Sequence, residues 1–207
     1  MMSKKSPQNT VPDYSREERY LARGLGPVAG VDEAGRGPLA GPVVVAACIL
    51  DPDHIPQGLN DSKKLTFAKR EKLFDEILEN AHCSVISLSA SEIDRGNIRA
   101  VTLKAMVEAV HALAVTPGAV LVDGRDWPNM PCAGEAVIKG DALSLSIAAA
   151  SILAKVTRDR LMKQAAQFWP GYGFDKHAGY GTASHLEAIA RLGPCPVHRM
   201  SFAPLKS

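Results

Sequence analysis

No apolar run in this sequence is long enough to span a bilayer, which excludes a membrane-spanning helix. The four cysteines, Cys48, Cys83, Cys132 and Cys195, fall outside any C-x-x-C spacing. That argues against a disulfide or zinc framework and for reduced, mostly buried thiols in a cytosolic protein. No histidine sits at a zinc-like spacing, which disfavours a zinc hydrolase. With 24 basic and 22 acidic residues the net charge is only +2, so there is no blanket basic character. Internal repeats and low-complexity segments are also lacking. No secretory leader is visible, since the first fifteen residues are polar, with Lys4, Lys5 and two prolines. These shortages lead to the expectation of a soluble, cytoplasmic protein that makes no membrane contact and acts as a monomer.

What is present suits one large domain. The chain has 207 residues, 46% of them apolar and 22% charged, an ordinary balance for a globular core. Residues 1–15 are expected to be a disordered tail, clearest up to about residue 13. The domain then runs over 16–207, with a helical C-terminal part from about residue 168. Tyr14 to Ala22 is charged and suits a short helix. A helix is predicted over 67–79, with Leu73, Phe74, Ile77 and Leu78 on one side. Ser84 to Leu88 reads as a strand, and Ser89 with Glu92 as a capping box. From Asn97 the apolar spacing is helical and ends before Pro117-Gly118. Ala119 to Val122 and Ala136 to Ile138 read as further strands. Lys139-Gly140-Asp141 turns into a long helix rich in small residues. Thr182 is a good N-cap for a last short helix.

The chain is organised around Asp32-Glu33-Ala34-Gly35-Arg36-Gly37-Pro38-Leu39-Ala40-Gly41-Pro42 and the continuous β-branched run Val43 to Leu50 behind it. Such a run is expected of a strand covered on both faces. The two carboxylates are then expected at a strand end, on a tight connection. The glycines do not form a dinucleotide fingerprint. Their spacing is one residue too long, Pro38 removes a donor, and a strand follows where a helix N-terminus is needed. The loop suits close approach of a ligand to main chain, with Arg36 offering a fork for phosphate. A tight turn with solvated acids explains it as well.

Asp123 ends one strand and Asp141 stands at a helix start, so four acids occupy similar places. Strand ends on one edge of a sheet converge, and four uncompensated carboxylates are costly together unless cations bind. Oxygen-only donors select Mg²⁺ or Mn²⁺, and a pair of such ions serves phosphodiester hydrolysis. Each acid also has a plain explanation: Asp141 as an N-cap, Asp123 as a turn residue, Asp32 and Glu33 as a solvated loop. From the residues alone, a metal-dependent nuclease or phosphotransferase is the reading. The basic stretch Lys63, Lys64, Lys69, Arg70 and Lys72 reads best as a solvated helix face.

Gly30-Val31-Asp32-Glu33-Ala34-Gly35-Arg36-Gly37-Pro38-Leu39-Ala40-Gly41-Pro42-Val43 closely resembles the signature of the bacterial ribonuclease HII family. So do Asn60-Asp61-Ser62-Lys63-Lys64-Leu65, Val122-Asp123-Gly124, Lys139-Gly140-Asp141, Tyr172-Gly173-Phe174, Gly179-Tyr180-Gly181-Thr182 and His198-Arg199-x-Ser201-Phe202. The resemblance spans roughly residues 27–202. It implies an α/β fold: a ribonuclease H-like mixed sheet flanked by helices, with a small helical C-terminal part. It further implies cleavage of the RNA strand of RNA–DNA hybrids and nicking 5′ to single ribonucleotides in duplex DNA, leaving 5′-phosphate and 3′-hydroxyl ends. By the same resemblance Asp32, Glu33, Asp123 and Asp141 are catalytic and hold two Mn²⁺ or Mg²⁺ ions. Gly35, Arg36 and Gly37 would recognise the ribose 2′-OH, and Tyr180 the junction. Lys63, Arg158 and Lys163 are weaker candidates for duplex contacts. The rivals are a junction resolvase of the same fold class and a hybrid-binding protein without catalysis.

Overall fold

The computed structural model describes residues 11–206. A five-stranded mixed sheet forms its centre, in the order β3-β2-β1-β4-β5. Strand β1 (Val28–Ala34) runs antiparallel to β2 (Val43–Leu50), and β2 antiparallel to β3 (Ala81–Leu88). On its other side β1 is parallel to β4 (Ala119–Asp123), and β4 to β5 (Ala133–Val137). Strands β1 and β2 are joined by the loop of residues 35–42, whereas α2 lies in the connection between β2 and β3.

Every residue of β2 is buried, because both faces of the sheet are covered. Val44, Ala46, Cys48 and Leu50 face α2 (Phe67–Asn80) and α5 (Leu145–Phe168). Val45, Ala47 and Ile49 face α4 (Ile98–His111) with Ala105, Met106 and Ala109. The alternation of side chains in a strand therefore splits one continuous apolar run between two cores. The small residues of α5, among them Ser146, Ala148, Ala149 and Ala150, let it lie close against the sheet. At Gly30 the approach is so tight that a Cβ would run into the Ser146–Ile147 main chain.

Several boundaries differ from those read in the sequence. Residues 1–10 of the expected tail lie outside the described residues. Within 11–15 the chain is already held, since Asp13 bridges Ser144 and α1 (Ser15–Leu21) begins at Ser15. The anchor is Glu17 of α1, buried, which accepts Ser144 Oγ–H (2.6 Å) and Ser146 N–H (2.9 Å) at the start of α5. An acid at a helix N-terminus gains from free amides and the helix dipole. Strand β5 starts three residues before Ala136 and ends one residue before Ile138, which is 57% exposed. Leu78 of α2 is half exposed, while Leu73, Phe74 and Ile77 are buried. The capping box at Ser89 and Glu92 is formed, opening α3 (Ala90–Arg95). The C-terminal part holds α6 (Phe174–His177) and α7 (Ala183–Leu192), with Thr182 capping α7. Among the described residues no helix is long and apolar enough to cross a membrane.

Candidate active site

Asp32 and Glu33 lie within β1, two and one residues before its end, rather than on the connection after it. They pair with Ala46 and Val45 of β2, so the ladder fixes both of their backbones. Because β1 and β4 are parallel with Val31 beside Val122, Asp32 and Asp123 occupy corresponding places at neighbouring strand ends. Asp141 sits in a short 3₁₀ turn, Gly140–Ala142, between β5 and α5. Asp123 ties that turn to the sheet by accepting Gly140 N–H at 2.6 Å. The helix itself is capped by Ser144, whose Oγ accepts Ile147 N–H, so Asp141 is not an N-cap.

The acids are close enough to disturb one another. Asp32 is buried, and desolvation followed by Glu33, Asp123 and Asp141 pushes its carboxyl well above the usual range. Desolvation also raises Glu33, against the pull of Arg36, which lies 3.5 Å away. Asp141 is pushed up to about 6 by desolvation first, then by Asp61 and Asp123, with Lys63 opposing. Lys63 Nζ stands 3.9 Å from Asp141 Oδ2 on an otherwise exposed side chain. Its own pKa is raised: desolvation acts downward but is outweighed by Asp141, Asp61, Asp32 and Asp123.

Among the described residues, no three histidine, cysteine or acidic side chains form a set that could hold a metal as they stand. The acids share one end of the sheet, yet three of them are engaged locally. Asp32 Oδ1 accepts Glu33 N–H at 2.7 Å, Asp123 the Gly140 amide, and Glu33 the Arg36 guanidinium. Mutual repulsion opposes closer approach in the absence of a cation. The donor set nevertheless fits a hard divalent ion: it is all oxygen, partly desolvated and held on rigid elements.

Beside the acids, Gly35, Arg36, Gly37, Lys63 and Tyr180 line one cleft with Glu33, Ser62, Ser151 and Lys155. A Cβ on Gly37 would stand 3.9 Å from Tyr180 Cε1, so ring and loop are neighbours. Gly35 has φ +98° and lies over Arg158, leaving no room for a side chain. A second cleft, lined by Phe67, Lys155, Lys163, Lys176 and Tyr180, adjoins it.

Arg158, read in the sequence as a duplex contact, is buried instead. It donates to Pro42 C=O (2.9 Å) and Ala40 C=O (3.1 Å) beneath the loop. Arg199 does the same for Gly41, Arg36 and Gly35 at 3.0, 2.9 and 2.5 Å. Nothing local in the sequence marks these roles, because the partners are main-chain oxygens more than a hundred residues away. Asp61 stands out in the sequence only as part of a motif. It caps the short turn at Ser62–Lys64 and adds its charge beside Asp141.

The fold defines the class first: it is that of the ribonuclease H-type nucleases. Ribonuclease H2 from Pyrococcus horikoshii OT3 matches with a TM-score of 0.75 at 30% identity, covering 86% of this chain and 95% of that one. The ribonuclease HII of Archaeoglobus fulgidus, solved in a complex with PCNA, matches with a TM-score of 0.73 at 28% identity, covering 87% and 96%. The ribonuclease HII family model matches residues 29–205, and the Agrobacterium fabrum (strain C58) ribonuclease HII is 58% identical over 199 residues, 96% of this chain and 92% of that protein. The chain belongs to the ribonuclease HII family and is an endoribonuclease. Family and fold together support endonuclease action on RNA–DNA hybrids.

Proposed function

We propose that the protein nicks duplex DNA 5′ to single embedded ribonucleotides, and also cuts the RNA strand of hybrids, leaving 5′-phosphate and 3′-hydroxyl ends. Asp32, Glu33, Asp123 and Asp141 would hold two Mg²⁺ or Mn²⁺ ions, which supply an activated water and charge neutralisation at the leaving oxygen. The observation that carries the reading is the desolvated, mutually repelling set of carboxyls at the ends of β1 and β4 and before α5. Such a set is stable in its charged form only with cations nearby, and it would otherwise repel a phosphate backbone.

The remaining residues position and select substrate. Gly35 and Gly37 let the ribose approach the main chain, where the 2′-OH can both donate and accept. Arg36 is 46% exposed along its side chain and free to reach a phosphate beyond its contact with Glu33. Tyr180 presents a half-exposed ring to the same cleft, a flat surface for the deoxyribose on the DNA side of the junction. Lys63 adds positive charge at the rim beside Asp141.

The test is cleavage of a DNA duplex carrying one ribonucleotide, with Mg²⁺, beside an all-DNA duplex of the same sequence. A single nick 5′ to the ribonucleotide and an intact control are expected. Equal cutting of both duplexes would point to a resolvase-like nuclease. Binding of the ribonucleotide duplex with no cutting under any divalent ion would point to a binding protein.

A further inference from the structure

The C-terminal part carries histidines for which the acid site has no use. His185 and His198 are buried, and their Nε2 atoms stand 3.1 Å apart. The other nitrogen of each ring meets a main-chain group whose role cannot change. Cys195 N–H donates to His198 Nδ1 at 2.9 Å, so that nitrogen is an acceptor. Tyr180 C=O lies 2.9 Å from His185 Nδ1, so that nitrogen carries a proton.

Cys195 C=O is also 3.2 Å from His198 Nδ1, a longer approach than the 2.9 Å of Cys195 N–H. A proton on Nδ1 would confront Cys195 N–H and leave two bare nitrogens facing each other across the ring pair. One arrangement satisfies every group. His198 donates through Nε2 to His185 Nε2, and His185 donates through Nδ1 to Tyr180 C=O. Both rings are neutral, in opposite tautomers. The titratable groups facing them are His177, stacked on His185 at 4.5 Å, and Tyr172 and Cys195 beside His198. None is a carboxylate that would hold an imidazolium.

The chain of hydrogen bonds ends on a turn that needs holding. Ala178 has φ +48° and Gly179 φ +81°, and Ala in the left-handed region is strained. Tyr180 follows directly, its ring beside Gly37. We propose that His185 and His198 are positioning residues for substrate selection: their one-way hydrogen-bond chain, Cys195 N–H to His198 to His185 to Tyr180 C=O, sets the Tyr180 ring against the Gly35–Gly37 loop. This rests on the reading of Tyr180 as the group that senses the junction.

The experiment compares wild type, Tyr180→Ala, His185→Leu and His185→Asn. The readout is the rate on a single-ribonucleotide duplex divided by the rate on a uniform hybrid. Imidazole ¹⁵N spectra of the wild-type full chain are recorded alongside. Tyr180→Ala and His185→Leu should each lower the ratio by about fivefold or more. Tyr180→Ala and His185→Leu combined in one chain should lower it no further than Tyr180→Ala alone. His185→Asn places an amide donor where Nδ1 stands and should restore most of the ratio. The spectra should show His185 protonated on Nδ1 and His198 on Nε2.

If Tyr180→Ala loses the ratio and His185→Leu keeps it, the positioning role is overturned while the Tyr180 reading stands. If Tyr180→Ala keeps the ratio, both fall. Should His185→Leu not fold, the tautomers decide: a wild-type His185 protonated on Nε2 overturns the proposal.

Discussion

Two groups of buried charge flank the loop from Gly35 to Pro42, and they meet desolvation in opposite ways. On one side, Asp32, Glu33 and Asp141 are pushed up by burial and by neighbouring acids. On the other, Arg158 and Arg199 are buried with no acid among the described residues hydrogen-bonded to either, and spend their donors on loop carbonyls. Burial lowers both arginines, Arg199 to about 10 with Arg158 adding to the effect. A guanidinium remains charged there, because its reference pKa is so high. The arginines are thus satisfied by the chain itself, while the acids are not. Buried charge alone does not mark a reactive site. What marks it is charge the chain leaves uncompensated, and the loop between the two groups is shaped by one and faces the other.

The largest expected effect comes from neutralising an acid. Asp32→Asn or Asp123→Asn should abolish cleavage while the protein stays folded, with duplex affinity kept or raised because a negative charge is gone. Single-turnover rates and a binding titration check this, and an unaltered turnover in either variant would erase the contrast. Next is the arginine side. Arg199→Met leaves the Gly35, Arg36 and Gly41 carbonyls without their donor and should cost on the order of 3 kcal/mol of stability, read by urea denaturation. Arg199→Lys cannot reproduce the fork and should recover only part of that.

Asp141 offers a sharper cut, since Ser144 and not Asp141 caps α5. Asp141→Asn should lower the rate strongly while the protein stays folded. Its pH behaviour follows from a folded pKa near 6 against 3.8 for the free carboxyl. The folded state holds this proton more tightly, so its contribution to stability is greatest below about pH 4 and is lost as pH rises through about 6. In metal-free wild type the melting temperature should decline across that window, and Asp141→Asn should flatten the decline. The smallest effect expected is that of Tyr180→Ala, a loss of about 1–3 kcal/mol of stacking and so a several-fold fall on the single-ribonucleotide duplex. Tyr180→Phe should retain more, since the flat face survives.

The two sides of the loop were not equally legible in the sequence. Residues 43–50 announced a strand covered on both faces, and the structure buries all eight. The capping box at Ser89 and Glu92 was readable because its partners are three residues apart. The acids stood out because they recur at strand ends, although Asp32 and Glu33 proved to lie inside β1 and Asp141 ahead of α5. Both errors are of boundary, where a ladder or a 3₁₀ turn is set by tertiary pairing rather than by local pattern. The arginines and the His185–His198 pair carried no such signal. Arg158 sits on a basic stretch of α5 that reads as a duplex contact until the loop folds over it. His198 and Arg199 occurred in a recognisable motif, but their roles depend on main-chain atoms brought from elsewhere. The sequence reveals a charge, and only the fold reveals whether it is already satisfied.

The central claim is that the acids at the sheet end await divalent cations. Its most direct measurement is calorimetric titration of the metal-free protein with Mn²⁺ or Mg²⁺, wild type beside Asp32→Asn and Asp123→Asn. Saturable binding in wild type, with a rise in melting temperature and loss of both in each variant, is the predicted result. Undiminished binding in both variants, or a wild type that binds neither ion, would contradict it.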